Sequence, residues 1–306
     1  MRNTQSLRQP TDAPLLSEQE IAELLAIPRG KAAAVRRAPL AGRPGERLSP
    51  RHGSGTDFAE PRVYQPGDDP RRLDWRATAR SGTALVRTYH TELSRPLCLV
   101  IDRRASMRFG TRARLKVTQA VRVALMLAGR EVRSGGELAA VLLDAPCQWL
   151  PAARGARSLK RLVDAAVAPC PPREPDTGEP GWDKILATLR GRLAQGSELV
   201  LISDFSGLQE QDEAALRSVG RYFDCRAIRI ADPVERGEIP PVVQRWYWDG
   251  ATEQVDGADP ATTDALSARL RSWDAFLDDA FRHAGIRLET LSVDAEISDG
   301  LTVAAS

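Results

Sequence analysis

The sequence predicts an α/β fold, a doubly wound and mostly parallel sheet with helices on both faces, and three observations predict it. From Leu97 onward, short apolar runs alternate with segments of helical periodicity. Two of those runs, Leu97 to Ile101 and Leu199 to Ile202, are apolar without interruption, as parallel strands buried on both faces are. The chain has 306 residues, 42% hydrophobic and 27% charged, enough for one large domain or two small ones with a real core. That composition excludes collagen-like, rod-like and wholly disordered chains.

The elements follow in order. Ser17-Glu18-Gln19-Glu20 is a capping box, and Ile21, Leu24 and Leu25 give the helix after it one apolar face; Pro28 ends it. From there to about Thr56 the chain is rich in Pro, Gly, Arg and Ala without periodicity, and it is expected to be a basic, flexible arm. It lacks aromatic interleaving, so a solvated or intramolecular role is expected and nucleic acid is not. Next come Arg62, Tyr64, Pro66, Gly67, Asp68, Asp69, Arg71, Asp74, Trp75 and Arg80, where carboxylates and guanidiniums alternate closely. This pattern predicts a turn at Pro66-Gly67, a short helical piece around Trp75, and a mesh of intramolecular ion pairs within a β-rich extension.

The expected organisation is an N-terminal helix and arm over 1–56, the extension over 57–96, and the α/β domain over 97–306. Within that domain, strands are expected at Leu97 to Ile101, Glu137 to Leu143, Leu199 to Ile202, Arg226 to Ile230 and Ile286 to Leu291. Helices are expected at Arg112 to Arg133, Ala156 to Ala166, Trp182 to Ala194, Glu210 to Arg221 and Thr262 to His283. Trp246-Tyr247-Trp248 before Asp249-Gly250 reads as an edge strand and turn.

Several classes of function find no signal. No apolar stretch reaches the ~18–20 residues of a membrane span, and no apolar segment of a secretory signal follows the N-terminal Met-Arg, so the cytoplasm is the expected location. Cys98, Cys147, Cys170 and Cys225 form no CxxC, and with three histidines there is no zinc pattern. GxSxG, HExxH, Walker and GxGxxG motifs are missing.

The chemistry that can be read lies at two strand ends. Asp102 and Asp204 each close an apolar strand, with Ser106 and Ser206 shortly after. In an open parallel sheet such positions converge on the crevice where strand order reverses, and hard oxygens gathered there suit Mg²⁺. Each aspartate could equally cap the helix that follows. The spacing resembles the von Willebrand factor A domain, whose metal-ion-dependent adhesion site reads Asp-x-Ser-x-Ser with a later Asp. Asp102, Ser106 and Asp204 match, and Thr177 lies where such domains place a threonine ligand, but Arg104 stands in place of the middle serine. A guanidinium offers no lone pair, so a degenerate site is expected, with at most weak Mg²⁺ binding and otherwise no cofactor. Arg104 can turn outward beside a hydrated ion or fold inward onto an aspartate; the inward position is expected, because a tethered cation needs no dehydration.

The segment Tyr64-Gln-Pro-Gly-Asp-Asp-Pro-Arg-Arg-Leu-Asp-Trp75, with the Ser-Asp-Phe strand end and Asp232-Pro233-Val234-Glu235, resembles the bacterial domain of unknown function 58 family over about Gly53 to Leu291. The resemblance implies a von Willebrand factor A-like sheet preceded by the extension. Genes of such proteins commonly accompany MoxR-type AAA+ ATPases, which implies a non-enzymatic adaptor or co-chaperone serving that ATPase and a client protein in assembly or metal insertion. The alternative is a divalent-metal-dependent hydrolase built on Asp68, Asp69, Asp102 and Asp204.

Overall fold

The computed structural model describes residues 13–28, 57–58, 62–65, 73–86, 89–90, 95–111, 114–171, 173, 178–239, 241, 243–248 and 251–297. In chain order the first elements are helix α1 (Glu18–Ala26), strands β1 (Asp57–Phe58) and β2 (Arg62–Val63), helix α2 (Trp75–Ser81), and strands β3 (Leu85–Val86) and β4 (Tyr89–His90). Strand β5 (Leu97–Asp102), helix α3 (Lys116–Arg133), strands β6 (Glu137–Leu143) and β7 (Gln148–Arg154), and helices α4 (Ala156–Ala166) and α5 (Trp182–Arg192) follow. The remainder is strand β8 (Glu198–Ser203), helix α6 (Glu213–Tyr222), strand β9 (Asp224–Ala231), strands β10 (Val243–Trp248) and β11 (Ala251–Asp256), helix α7 (Pro260–Ala284) and strand β12 (Arg287–Ser292).

Two compact units divide the chain, one formed by residues 1–34 and 95–306 and the other by residues 35–94. The larger unit carries a six-stranded sheet in the order β12-β9-β8-β5-β6-β7, parallel except for β7, which runs antiparallel to β6. From β5 the chain winds outward through β6 to β7, then returns to the other side of β5 as β8. This is the doubly wound, mostly parallel sheet expected from the sequence, and its switch point lies between β5 and β8.

Both faces of the sheet are covered, so the central strands β5, β6 and β8 are apolar at every position apart from polar residues at their ends. Along β5, Leu97, Leu99 and Ile101 enter a core with α1, α3 and α4, while Cys98 and Val100 enter a second core with α5, α6 and α7. The period-2 alternation persists; it separates two apolar faces rather than core from solvent.

Helix α1, which composition groups with the arm, packs on α3. Leu15, Leu16 and Leu24 are buried there, the Leu15 N–H donates to Val167 O at 2.9 Å, and Arg133 donates to Ile27 O at 2.5 Å. A Cβ on Gly129 would lie 2.9 Å from the Leu25 carbonyl oxygen, so the close approach of the two helices needs glycine there. The expected capping box is present: Glu20 N–H donates to Ser17 Oγ, and Ser17 N–H to the Glu20 carboxylate.

One expectation needs correction. Trp246 to Trp248 do not form an edge of the main sheet: β10 pairs with β11 in a separate two-stranded hairpin, with Trp248 opposite Ala251. The edges are β12 and β7, the latter a strand whose Pro151 and exposed positions hide it from any apolar pattern. Among the described residues no helix is long and apolar enough to cross a membrane.

In the smaller unit, β1 pairs with β4 and β2 with β3, both antiparallel, so the expected extension is rich in short strands. Pro66, Gly67, Asp68, Asp69 and Arg71 lie outside the described residues, as does Thr177. Asp74 is buried as the N-cap of α2 and accepts the N–H groups of Arg76 and Ala77 at 3.1 and 3.0 Å. Tyr64 N–H donates to Ala84 O, and Arg80 Nε donates to Arg76 O along its own helix. Trp75 is 69% exposed.

Candidate functional site

Four adjacent parallel strands end in aspartate. Asp144 follows β6, Asp102 is the last residue of β5, Asp204 follows β8 and Asp232 follows β9. The segment from Arg103 to Lys116, between β5 and α3, meets all four with side chains of its own. Strand order explains why: β5 sits centrally, so the loop leaving it has strand ends on both sides.

At the switch point the Arg104 guanidinium folds inward. Its Nε lies 3.1 Å from Asp102 Oδ1 and its Nη2 2.7 Å from Oδ2, and the Arg104 backbone N–H donates to Oδ1 at 3.0 Å. Its Nη1 donates to Pro180 O at 3.2 Å, and the guanidinium carbon lies 4.8 Å from the centre of the Trp182 ring. Burial alone would lower the Arg104 pKa; the Asp102 charge and hydrogen bonds, with help from Asp204, raise it instead. Ser203 Oγ donates to Asp102 Oδ2 at 2.6 Å and accepts the Phe205 N–H at 2.8 Å. Phe205 has φ 60°, a left-handed conformation unusual for a bulky residue, and its ring is held between Trp182 at 5.4 Å and Phe281 at 4.7 Å.

One strand away, Asp204 takes the Ser106 hydroxyl at 3.2 Å and the Ser206 N–H at 2.9 Å on Oδ1, and Lys116 Nζ at 2.7 Å on Oδ2. Burial would raise the Asp204 pKa, but the Lys116 ammonium and these hydrogen bonds hold it below the ordinary aspartate value. The same ammonium donates to Glu235 Oε1 at 2.6 Å. Glu235 is fixed by its own turn, a capping box in which Asp232 N–H donates to Glu235 Oε2 at 2.9 Å and Val234 N–H to Asp232 Oδ1 at 3.1 Å. Thr111 closes the row, donating to Asp232 from both its N–H and its hydroxyl.

On the other flank, Arg108 Nη2 donates to both carboxylate oxygens of Asp144, at 3.0 Å each. Arg103 donates to the last carbonyls of α4, Ala165 and Ala166, at 2.6 and 2.9 Å. Arg173 spans Asp144 and Glu179, whose carboxylate also accepts the Ala105 N–H at 2.9 Å.

These residues do not fit a divalent ion. Both oxygens of Asp102 are already occupied by Arg104 and Ser203, and the free oxygen of Asp204 by Lys116. A cation at Asp102 would have to displace a guanidinium that is already paired. Among the described residues no group of three or more His, Cys, Asp or Glu side chains is placed to hold a metal ion.

Of the expected site residues, the structure brings Asp102, Arg104, Ser106 and Asp204 together. Lys116, Glu235, Ser203 and Asp144 complete the site; sequence reasoning touches Ser203 and Glu235 only as members of the Ser-Asp-Phe and Asp232-Pro233-Val234-Glu235 stretches and gives none of the four a role. Lys116 does carry a signal: it is the first residue of α3, where the helix dipole disfavours a cation, and no acidic residue shares its first turn. A lysine in that position needs anionic partners from elsewhere.

A family model described as "Protein of unknown function DUF58" matches residues 60–265. Proteins described as uncharacterized from Mycobacterium bovis and Mycobacterium tuberculosis are 29% identical over 254 residues, covering 82% of this chain and 79% of each relative. Among solved structures, a conserved hypothetical protein BatB from Bacteroides thetaiotaomicron aligns with 12% identity and a TM-score of 0.40, over 64% of this chain and 90% of that one. A von Willebrand factor type A protein from Catenulispora acidiphila aligns with 18% identity and a TM-score of 0.31, over 49% of this chain and 35% of that one.

Proposed function

The chain belongs to the DUF58 family, and from that premise we propose that it is a non-enzymatic protein-interaction module. In this reading it is an adaptor or co-chaperone that works in the cytoplasm beside a MoxR-type AAA+ ATPase, presenting a client protein for assembly or metal insertion. The observation that supports it is the state of the crevice. A catalytic acid, base or nucleophile needs a lone pair or proton directed at a substrate. Here Asp102 and Asp204 direct theirs at internal partners, and Lys116 is held between two carboxylates. What such a sheet offers is a rigid platform with loops at one end, which is what an interaction module requires. The divalent-metal-dependent hydrolase lacks comparable support, since its carboxylates at the crevice are already paired.

The test is direct association. Titrating this protein into a purified MoxR-type ATPase by calorimetry, with ATP, with ADP and without nucleotide, is expected to give saturable binding that is strongest in one nucleotide state. No heat and no co-elution in any of the three states would overturn the proposal.

A further inference from the structure

We propose that Lys116 occupies the place at this crevice that a bound divalent cation would take, so that its ammonium, tethered to α3, joins the loops after β8 and β9 that a metal would otherwise gather. The inference stands on the geometry and is independent of which partner the module serves.

The ammonium lies 2.7 Å from Asp204 Oδ2 and 2.6 Å from Glu235 Oε1, carboxylates that come from the loops after β8 and β9. The other oxygen of Asp204 accepts Ser106 Oγ from the loop after β5. One cation therefore joins the loops after β8 and β9 directly through carboxylate oxygens, as a hydrated Mg²⁺ or Ca²⁺ does, and Asp204 links the loop after β5 to it through Ser106. The Phe109 ring, 5.7 Å from Nζ, takes up a side that water would occupy around a metal, and Lys116 itself is buried. The Asp232–Glu235 capping box holds the Glu235 carboxylate through Oε2, a contact that does not involve the lysine, and leaves Oε1 to the ammonium. Arg104 acts apart from this bridge, neutralising Asp102 one strand away. Lys116 is thus a positioning residue that acts through Asp204 and Glu235.

Removing Lys116 leaves the buried Asp204 carboxylate and the half-buried Glu235 carboxylate at the vacated position, with the Ser106 hydroxyl next to Asp204, hard oxygen donors suited to a divalent ion. The experiment titrates Mn²⁺ into the wild type, Lys116→Met and Arg104→Ser, followed by electron paramagnetic resonance and by melting temperature. Lys116→Met is expected to bind Mn²⁺ at least tenfold more tightly than the wild type and to melt higher when Mn²⁺ is added; Arg104→Ser is expected to gain nothing. A wild type that binds as tightly as Lys116→Met overturns the inference, as does a gain seen only in Arg104→Ser. If Lys116→Met does not fold alone, Lys116→Met/Glu235→Gln keeps the test open, because it loses one charge of each sign. That double variant is expected to be more stable than Lys116→Met; one that is no more stable overturns the bridging role.

Discussion

Asp102→Asn is expected to destabilise the sheet unit by about 3–5 kcal/mol, the cost of leaving a buried charge without its partner. Arg104 is buried, and its Nε and Nη2 both point at this carboxylate. Asparagine keeps the shape and one acceptor, so the loss isolates the charge and the bidentate geometry from packing. It also presents NH₂ hydrogens to a guanidinium that has no lone pair to accept them. Ser203 would suffer next, since its hydroxyl bridges Asp102 and the strained Phe205 backbone. The measurement is the urea midpoint of the wild type, of Asp102→Asn and of Asp102→Asn/Arg104→Ser. The double variant should recover most of the loss, because it removes the stranded cation. Equal losses in the single and double variants would show that Asp102 acts through packing alone.

The second large effect is on the pH dependence of stability. The Asp204 pKa is lower in the folded chain than the ordinary value of 3.8, and that of Lys116 is higher than the ordinary 10.5. For Asp204, burial opposes the shift and Lys116 drives it; for Lys116, burial again opposes and Asp204 with Glu235 drives it. A carboxylate lowered on folding contributes stability that is complete above its unfolded pKa and is lost as the pH falls through its folded one. A lysine raised on folding contributes stability that is complete below its unfolded pKa and is lost as the pH rises through its folded one. The pair should therefore support a plateau bounded below by about 3.8 and above by about 10.5, the ordinary values of the two groups. Glu20 is also held low, by the Ser17 N–H against the opposing effect of burial, and Asp259 by the Thr262 hydroxyl; both add to the acid limb with the same sign. Comparing variants separates them. Asp204→Asn should be less stable than the wild type at neutral pH, with a gap that closes on acidification; a gap independent of pH would mean that the Asp204 charge is not what Lys116 holds.

How much of this can be read in the chain depends on what each residue answers to. Strand β5 is legible because every one of its apolar side chains meets a core, leaving an unbroken apolar run of strand length. Helix α4 is legible from Ala156 to Ala166 because Leu162 and Ala166 repeat on one buried face. Strand β7 is not, because an edge strand needs only one buried face and here little even of that. The inward turn of Arg104 follows from chemistry local to the loop, a guanidinium two residues from a carboxylate at a strand end. Lys116 and Glu235 lie 119 positions apart in the chain and meet at one ammonium, and no local pattern encodes that encounter. The Asp232-Pro233-Val234-Glu235 stretch is visible as a motif, but its purpose as a ligand-setting turn emerges only when α3 arrives beside it.

A crevice closed by the protein's own cations is tested most directly by one measurement, the anomalous scattering of crystals soaked in Mn²⁺. The expected result is no anomalous peak among Asp102, Ser106 and Asp204, with the Arg104 guanidinium on Asp102 and the Lys116 ammonium between Asp204 and Glu235. A peak between Asp102 and Asp204, with Arg104 turned outward, would contradict it.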